Sequence, residues 1–281
     1  MISNQLAAYG VSKITAADSH IDALAEEVLR QGYVVADSGL SPEAIAGYRQ
    51  RLDAVYAVQQ QEVGSEENLQ WINDANVARC LLAYDDKFLE MATLPVLLQL
   101  AERLLGENVV LLMQNGVINP PSRRHFQTNW HRDLNYQHWV NSRPLALSAL
   151  FCLDPFSQET GGTHVLAGTH LKEEFPSEVF ISRHEKVIEA KPGSVIIFDS
   201  MMFHRAGQNS SGIIRRAVNH VIGVPILAQQ ISIPDMLQGR YADDPFLSRY
   251  LGYRWNPRPS VRQWRLQRLQ EAEKTPQRKG A

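Results

Sequence analysis

The chain has 281 residues and a formal net charge of −2, with 44% hydrophobic and 21% charged residues, an ordinary make-up for a soluble globular protein of one large or two small domains. That charge balance argues against a general nucleic-acid binder, whose phosphate contacts need a basic face. No apolar run reaches the roughly 18 residues of a membrane span. Met1-Ile2-Ser3-Asn4-Gln5 puts no basic segment ahead of an apolar core, so no secretory leader is expected. Cys80 and Cys152 each sit among apolar residues, which reads as buried free thiols in a reducing cytoplasm.

Residues 1–17 are weakly patterned. Ile21, Leu24, Ala25, Val28 and Leu29 recur at helical spacing, predicting a helix from Ser19 to Gln31 that stops at Gly32. Tyr33-Val34-Val35-Ala36 predicts a short strand. Ser41 as cap and Pro42 at the first helical position open a second helix, with Ala44, Ile45, Tyr48, Leu52, Val55 and Tyr56 as its apolar stripe. The polar stretch Gln59 to Asn68 predicts a loop. Leu81 to Leu105 predicts helix, interrupted before Pro95 and closed by Gly106.

From Asn108 the period changes. Val109–Met113 suits a buried strand, and strand-like runs follow at Leu145–Leu153, Glu185–Ala190, Ser194–Phe198 and Ala217–Val224. Thr160-Gly161-Gly162, Pro192-Gly193 and Asn209-Ser210-Ser211-Gly212 supply turns. Many short strands with such turns predict a mainly β fold: a double-sheet jelly roll (double-stranded β-helix, cupin-like) with an N-terminal helical layer. We expect a single domain over residues 1–281, with helices at about 20–108, a jelly-roll core at about 109–225 and an extension at about 226–281 that carries a surface helix from Val261 to about Lys274.

Two motifs inside that core carry chemistry. One is Trp130-His131-Arg132-Asp133; the other is Phe203-His204-Arg205, with Arg215 eleven residues after His204 (215 − 204). His131, Asp133 and His204 supply two imidazoles and one carboxylate. A His-X-Asp pair with a distant His is the composition of the facial triad that holds non-haem Fe(II) and leaves the opposite face open. An Arg beyond the distal His has the planar fork to grip the far carboxylate of 2-oxoglutarate.

These residues resemble the phytanoyl-CoA dioxygenase family. The matching stretches are Gly32-Tyr33-Val34-Val35, Leu104-Leu105-Gly106, His131-Arg132-Asp133-Leu134, Gly161-Gly162-Thr163, Pro192-Gly193-Ser194, His204-Arg205-Ala206-Gly207-Gln208-Asn209 and Arg215. They run in order over roughly residues 20–225, which is far more specific than one motif. The resemblance implies a double-stranded β-helix that uses Fe(II), 2-oxoglutarate and O₂ and releases succinate and CO₂. It places the metal on His131, Asp133 and His204, the distal carboxylate of 2-oxoglutarate on Arg215, and a co-substrate contact on Gln114. Iron halogenases that resemble this family carry a small residue where Asp133 stands, so oxygen transfer or hydrogen removal is expected here, not halogenation. Family substrates range from acyl-CoA thioesters to small amino acids and natural-product intermediates; the Arg278-Lys279-Gly280-Ala281 end gives no peroxisomal address.

Other residues divide by position. If Arg215, Ala217, Asn219 and Val221 face the barrel interior, Arg216, Val218 and His220 face away, which makes Arg215 the anchor unless a bulge exchanges the two sets. His20 and His184 read as exposed, and His164 and His170 as structural. Arg123, Arg124, His125, Asn135, Tyr136, His138 and Trp139 flank the first motif, either as loop packing or as the lining of the mouth. In the second reading Asn135, Tyr136, His138 and Trp139 bind substrate, and their mixed character favours a small, polar metabolite. The expected partner is a small molecule, neither a nucleic acid nor a membrane. Two alternatives share the fold: a cupin-type metalloenzyme that ignores 2-oxoglutarate, and a non-catalytic metal-binding jelly roll.

Overall fold

Ser19 and Gly32 bound the first helix in the computed structural model, which describes residues 10–11, 15, 17–121, 126–134 and 139–274. In α1 (His20–Gln31) the Ser19 side chain accepts from the Asp22 N–H, and Gly32 ends the helix in the left-handed region. Strand β1 (Tyr33–Asp37) follows. Helix α2 (Pro42–Glu62) starts on the Ser41 cap with Pro42 in its first turn. The polar stretch 59–68, where a loop was expected, is helical except at 63–65: α2 runs to Glu62, and α3 (Glu66–Trp71) starts four residues later (66 − 62). The reason is tertiary. The Gln59 amide donates to Arg79 O at 2.6 Å and accepts from Arg79 N at 2.8 Å, and Tyr56 donates to Glu66 at 2.7 Å. Polar side chains there bind across to β2 (Val77–Arg79) and along the helix pair, which sequence periodicity does not register.

Helices α4 (Leu81–Tyr84), α5 (Phe88–Ala92) and α6 (Pro95–Leu105) divide the predicted long helix, the last break falling before Pro95. The remaining strands are β3 (Val110–Asn119), β4 (Ala146–Cys152), β5 (Thr163–Leu166), β6 (Glu185–Val187), β7 (Ser194–Asp199), β8 (His204–Ala206) and β9 (Arg215–Gly223). Helix α7 (Glu178–His184) precedes β6, and α8 (Ile233–Leu237), α9 (Pro245–Tyr250) and the exposed α10 (Val261–Lys274) follow β9.

Two antiparallel sheets form. The larger runs β1-β7-β4-β9-β3-β2 and the smaller β6-β5-β8. The large sheet draws β1 and β2 from the mostly helical stretch before residue 108. Leu147, Ala149, Phe151, Val195, Ile197, Val218 and Ile222 pack on the helical layer, while Leu150, Cys152, Ile196, Phe198 and Ala217 belong to the core shared with Val165, Phe156 and Met202. Successive side chains thus leave the sheet in opposite directions and both sets are buried. Cys80 and Cys152 are buried and unpaired. No helix among the described residues is long and apolar enough to cross a membrane.

The glycines at 161 and 207 hold the small sheet in register with the barrel end. Gly161 has φ +73°, and a Cβ there would lie 2.5 Å from Gly207 O and 2.7 Å from Asn119 Nδ2. A Cβ on Gly207 would lie 2.8 Å from Gly162 O and 2.9 Å from Gly161 Cα. The gap is sealed by Gly207 N–H donating to Gly162 O at 3.0 Å and Asn119 Nδ2 donating to Gly207 O at 3.1 Å. Gly161→Ala and Gly207→Ala should each destabilise the protein by about 1–3 kcal/mol, from backbone displacement and, at residue 161, the left-handed conformation. Urea unfolding with an unchanged midpoint in both variants would contradict this packing.

Candidate metal centre

His131 and His204 come from segments that pair as an isolated antiparallel bridge. Each backbone N–H donates to the other's carbonyl at 3.0 Å, so both side chains leave on one side, with ring centroids 4.3 Å apart. Asp133 lies two residues beyond His131 and therefore on the same side. Its Oδ1 is 4.0 Å from His131 Nε2 and 3.5 Å from His204 Nε2. One ligand atom from each of the three residues falls within 4.8 Å of the others, a set that could hold a metal ion.

The supporting bonds leave the right atoms free. His131 Nδ1 is 2.8 Å from Asn129 O and His204 Nδ1 is 3.0 Å from Met202 O. A carbonyl accepts only, so each Nδ1 carries the proton and each Nε2 keeps its lone pair. Asp133 Oδ2 accepts from Ser148 Oγ at 2.5 Å and from Asn219 Nδ2 at 3.1 Å, which leaves Oδ1 for the centre. Ser148 Oγ is in turn 2.8 Å from Ser200 Oγ. Burial, and then the neighbouring His204, lower the His131 imidazole to about 4, keeping it neutral. Burial raises the Asp133 carboxyl, but the two imidazoles and Ser148 outweigh it and hold it below the usual carboxylate range. His131 is the most accessible of the three, with 27% of its side chain exposed against 8% for each of the others, so the centre opens on its side.

Arg215 lines the same pocket, together with Val117, Gln127, Leu150, Thr163, Phe198 and Asn219. It is only 1% exposed, and its Nε and Nη2 find no hydrogen-bond partner among the described residues. The guanidinium lies 4.5 Å over the Phe156 ring. Burial lowers its pKa to about 10, so it stays charged near neutrality. The nearby Asp154 is already committed: it meets Arg49 at 2.8 Å and Arg216 at 3.2 Å. Arg216 points the other way and makes a two-pronged pair with Asp53 at 2.8 and 2.9 Å. Adjacent arginines on β9 thus differ: Arg216 is satisfied by two carboxylates, and Arg215 is buried without an ion pair among the described residues. A buried cation beside three residues that could hold a metal has the chemistry to receive an anion.

The structure does not bring every expected residue to the pocket. Gln114 is a correction. It pairs with His220 in the β3–β9 register, on the helical side of the sheet. Its Oε1 accepts from Leu82 N at 2.7 Å and its Nε2 donates to Phe88 O at 2.9 Å, so its amide is spent on the helical layer. The β3 residue that reaches the pocket is Val117. Asn135, Tyr136 and His138 lie outside the described residues, as do Arg123, Arg124 and His125. Trp139 is 44% exposed and not among the pocket's lining residues. His20 and His184 are exposed, while His164 and His170 are buried, His164 against Glu185. Sequence reasoning missed Ser148 and Thr163. Ser148 left a signal, a lone hydroxyl inside the apolar run Leu145–Leu153.

The sequence model of the Phytanoyl-CoA dioxygenase (PhyH) family matches residues 28–217. An uncharacterised protein of Mycobacterium tuberculosis is 31% identical over 208 residues, covering 71% of this chain and 74% of its own. A multifunctional dioxygenase of Penicillium brasilianum is 26% identical, with 66% of each chain covered. Among solved structures, EctD from S. alaskensis, crystallised with 2-oxoglutarate and 5-hydroxyectoine, superposes with TM-score 0.61 at 22% identity, covering 72% of this chain and 75% of its own. The non-haem α-ketoglutarate-dependent epimerase SnoN from nogalamycin biosynthesis gives TM-score 0.58 at 19% identity, covering 73% and 83%. These likenesses show the jelly-roll fold.

A cation buried without a partner costs the fold several kcal/mol. Arg215→Met should therefore melt at or above the temperature of the wild-type protein in the absence of small anions. Added 2-oxoglutarate with a divalent metal should raise the wild-type melting temperature and leave that of Arg215→Met unmoved. The same test on Arg216→Ala should show a ligand-induced rise like that of the wild type; a loss there, with Arg215→Met unaffected, would reverse the assignment of the two arginines.

Proposed function

The chain belongs to the phytanoyl-CoA dioxygenase family and is an Fe(II)- and 2-oxoglutarate-dependent dioxygenase, and we propose that His131, Asp133 and His204 hold its iron, that Arg215 anchors its 2-oxoglutarate, and that it hydroxylates a small polar metabolite or natural-product intermediate. The observation that carries this reading is Arg215, a buried charge lining the pocket of the His-Asp-His set whose Nε and Nη2 have no hydrogen-bond partner among the described residues. A cupin-type metalloenzyme that ignores 2-oxoglutarate would have no use for that charge. Iron with 2-oxoglutarate and O₂ supplies the oxidising power, with succinate and CO₂ released.

The protein's own contribution is placement. The two imidazoles present Nε2 because backbone carbonyls hold their Nδ1 protons. Ser148 and Asn219 keep Asp133 to one free oxygen. Arg215 fixes the far end of the co-substrate with two parallel donors, while Leu150, Phe198 and Val117 keep water from that end. Substrate approaches on the His131 side, the exposed side of the triad.

The substrate class rests on less direct support. Gln127, Thr163 and Asn219 give the pocket polar groups among its apolar ones. The sequence around the first motif offers Asn135, Tyr136 and His138 as candidates for the mouth. One structural neighbour was crystallised with 5-hydroxyectoine and another belongs to nogalamycin biosynthesis, which supports a small metabolite or biosynthetic intermediate as substrate. Buried, unpaired Cys80 and Cys152 fit work in a reducing cytoplasm.

Anaerobic titration should give one Fe(II) per chain and, with 2-oxoglutarate, the weak visible charge-transfer band of a chelated keto acid. Asp133→Ala/His204→Ala should lose both, and stoichiometric iron retained in that double variant would refute the triad. A succinate-release screen should find coupled turnover with polar metabolites. Efficient coupling to a simple fatty acyl chain, with polar metabolites inert, would reverse the substrate proposal. Turnover in excess chloride should yield no halogenated product, because Asp133 holds the coordination position a halide would need; a major halogenated product would overturn its role.

A further inference from the structure

Arg132 lies between two triad residues, yet its side chain points away from the pocket. It is 7% exposed and forms no ion pair among the described residues. Its guanidinium serves backbone carbonyls instead. Nε donates to Met201 O at 2.7 Å, Nη1 to Glu173 O at 3.2 Å, and Nη2 to Thr169 O at 3.3 Å and to Lys172 O. Its plane stands 3.9 Å over the ring of Phe203, the residue before His204. The turn it grips, Thr169–Leu171, also holds the other limb of the centre. Thr169 Oγ1 donates to Leu166 O at 2.6 Å and accepts from Phe203 N–H at 3.1 Å.

One turn behind the centre is therefore tied to the His131–Asp133 limb through Arg132 and to the His204 limb through the Thr169 hydroxyl. Among the described residues the two limbs also meet in the reciprocal bridge of His131 with His204, in the Asp133 N–H bond to Ser200 O, and where Arg205 lies 5.0 Å over the Trp130 ring. We propose that Arg132 is a positioning residue that, through the turn at 169–173, sets the separation and orientation of the two imidazoles and the carboxylate. A lysine cannot take its place: a single ammonium cannot span carbonyls at Met201, Thr169, Lys172 and Glu173, whereas a planar fork with five donors can.

The inference rests on the triad being the metal site, so Co(II) is the probe, read as a dissociation constant by competition and as ligand-field bands in the visible. The full chain is compared with Arg132→Met, Arg132→Lys and Thr169→Val, each also unfolded in urea without metal. Arg132→Met should bind Co(II) about 10–100-fold more weakly and with displaced bands, as removal of a ligand's orienting partner does. Arg132→Lys should recover only part of the loss, and Thr169→Val should shift both readouts in the same direction by less. A folded Arg132→Met with wild-type affinity and bands, whatever its loss of stability, overturns the positioning role. If Arg132→Met does not fold, wild-type affinity and bands in Thr169→Val overturn it. Co(II) binding that survives in His204→Ala overturns the metal assignment and this inference together; binding lost in His204→Ala but untouched in Arg132→Met overturns this inference alone.

Discussion

A sheet covered on both faces governs this structure. The helices lie on one side of β1-β7-β4-β9-β3-β2 and the small sheet on the other, so each strand residue is assigned by parity to one of two interiors. On β9 the rule sends Arg215, Ala217 and Asn219 toward the pocket, while Val218 and Ile222 join the helical core. His220 goes with the second set, meeting Phe151 edge-on at 5.2 Å and Gln114 at 2.9 Å. Burial lowers its pKa to about 3, so it is a neutral packing group despite lying one residue from Asn219. Register does the same on β3, where Gln114 and Val117 end on opposite sides.

The two neighbouring arginines show what that sorting costs and what it provides. Arg216 reaches Asp53 and Asp154 at the sheet end and is electrically complete. Arg215 is carried inward by the same backbone and pairs with no carboxylate among the described residues. Desolvating a guanidinium without a partner is unfavourable by several kcal/mol, and the strand tolerates it because the apolar pairings around it are extensive. In the proposed reading, the energy withheld from folding would be available to a dianionic co-substrate, whose far carboxylate would complete the guanidinium.

The metal triad shows a different economy, in which little is left unmet. Both Nδ1 atoms have carbonyl acceptors, and Asp133 Oδ2 has two donors. Every polar atom not aimed at the centre is already bonded, which fixes ring rotation, tautomer and the choice of carboxylate oxygen before any metal arrives. The bracing comes from side chains far apart in sequence: Ser148 on β4, Asn219 on β9, and Arg132 with the turn at 169–173.

The sequence by itself determined the elements whose cause is local. Ser19, Gly32, Ser41 and Pro42 set helix ends through caps and backbone preferences, and they stand where their chemistry predicts. Alternation along β9 separated Arg215 from Arg216, since this follows from bond geometry within a strand, and the spacing of His131 and Asp133 brought both to the same centre. Tertiary structure decided whatever depended on a distant partner. Residues 59–62 are helical because Gln59 bonds to β2, the three-residue strands β2 and β8 exist only through their neighbours, and Gln114 turns to the helices through its pairing with His220. The bracing of Asp133 and the isolation of Arg215 were equally hidden. A residue's own sequence neighbourhood states which groups it can offer, but whether a partner meets them is fixed only when segments tens of residues apart are packed together.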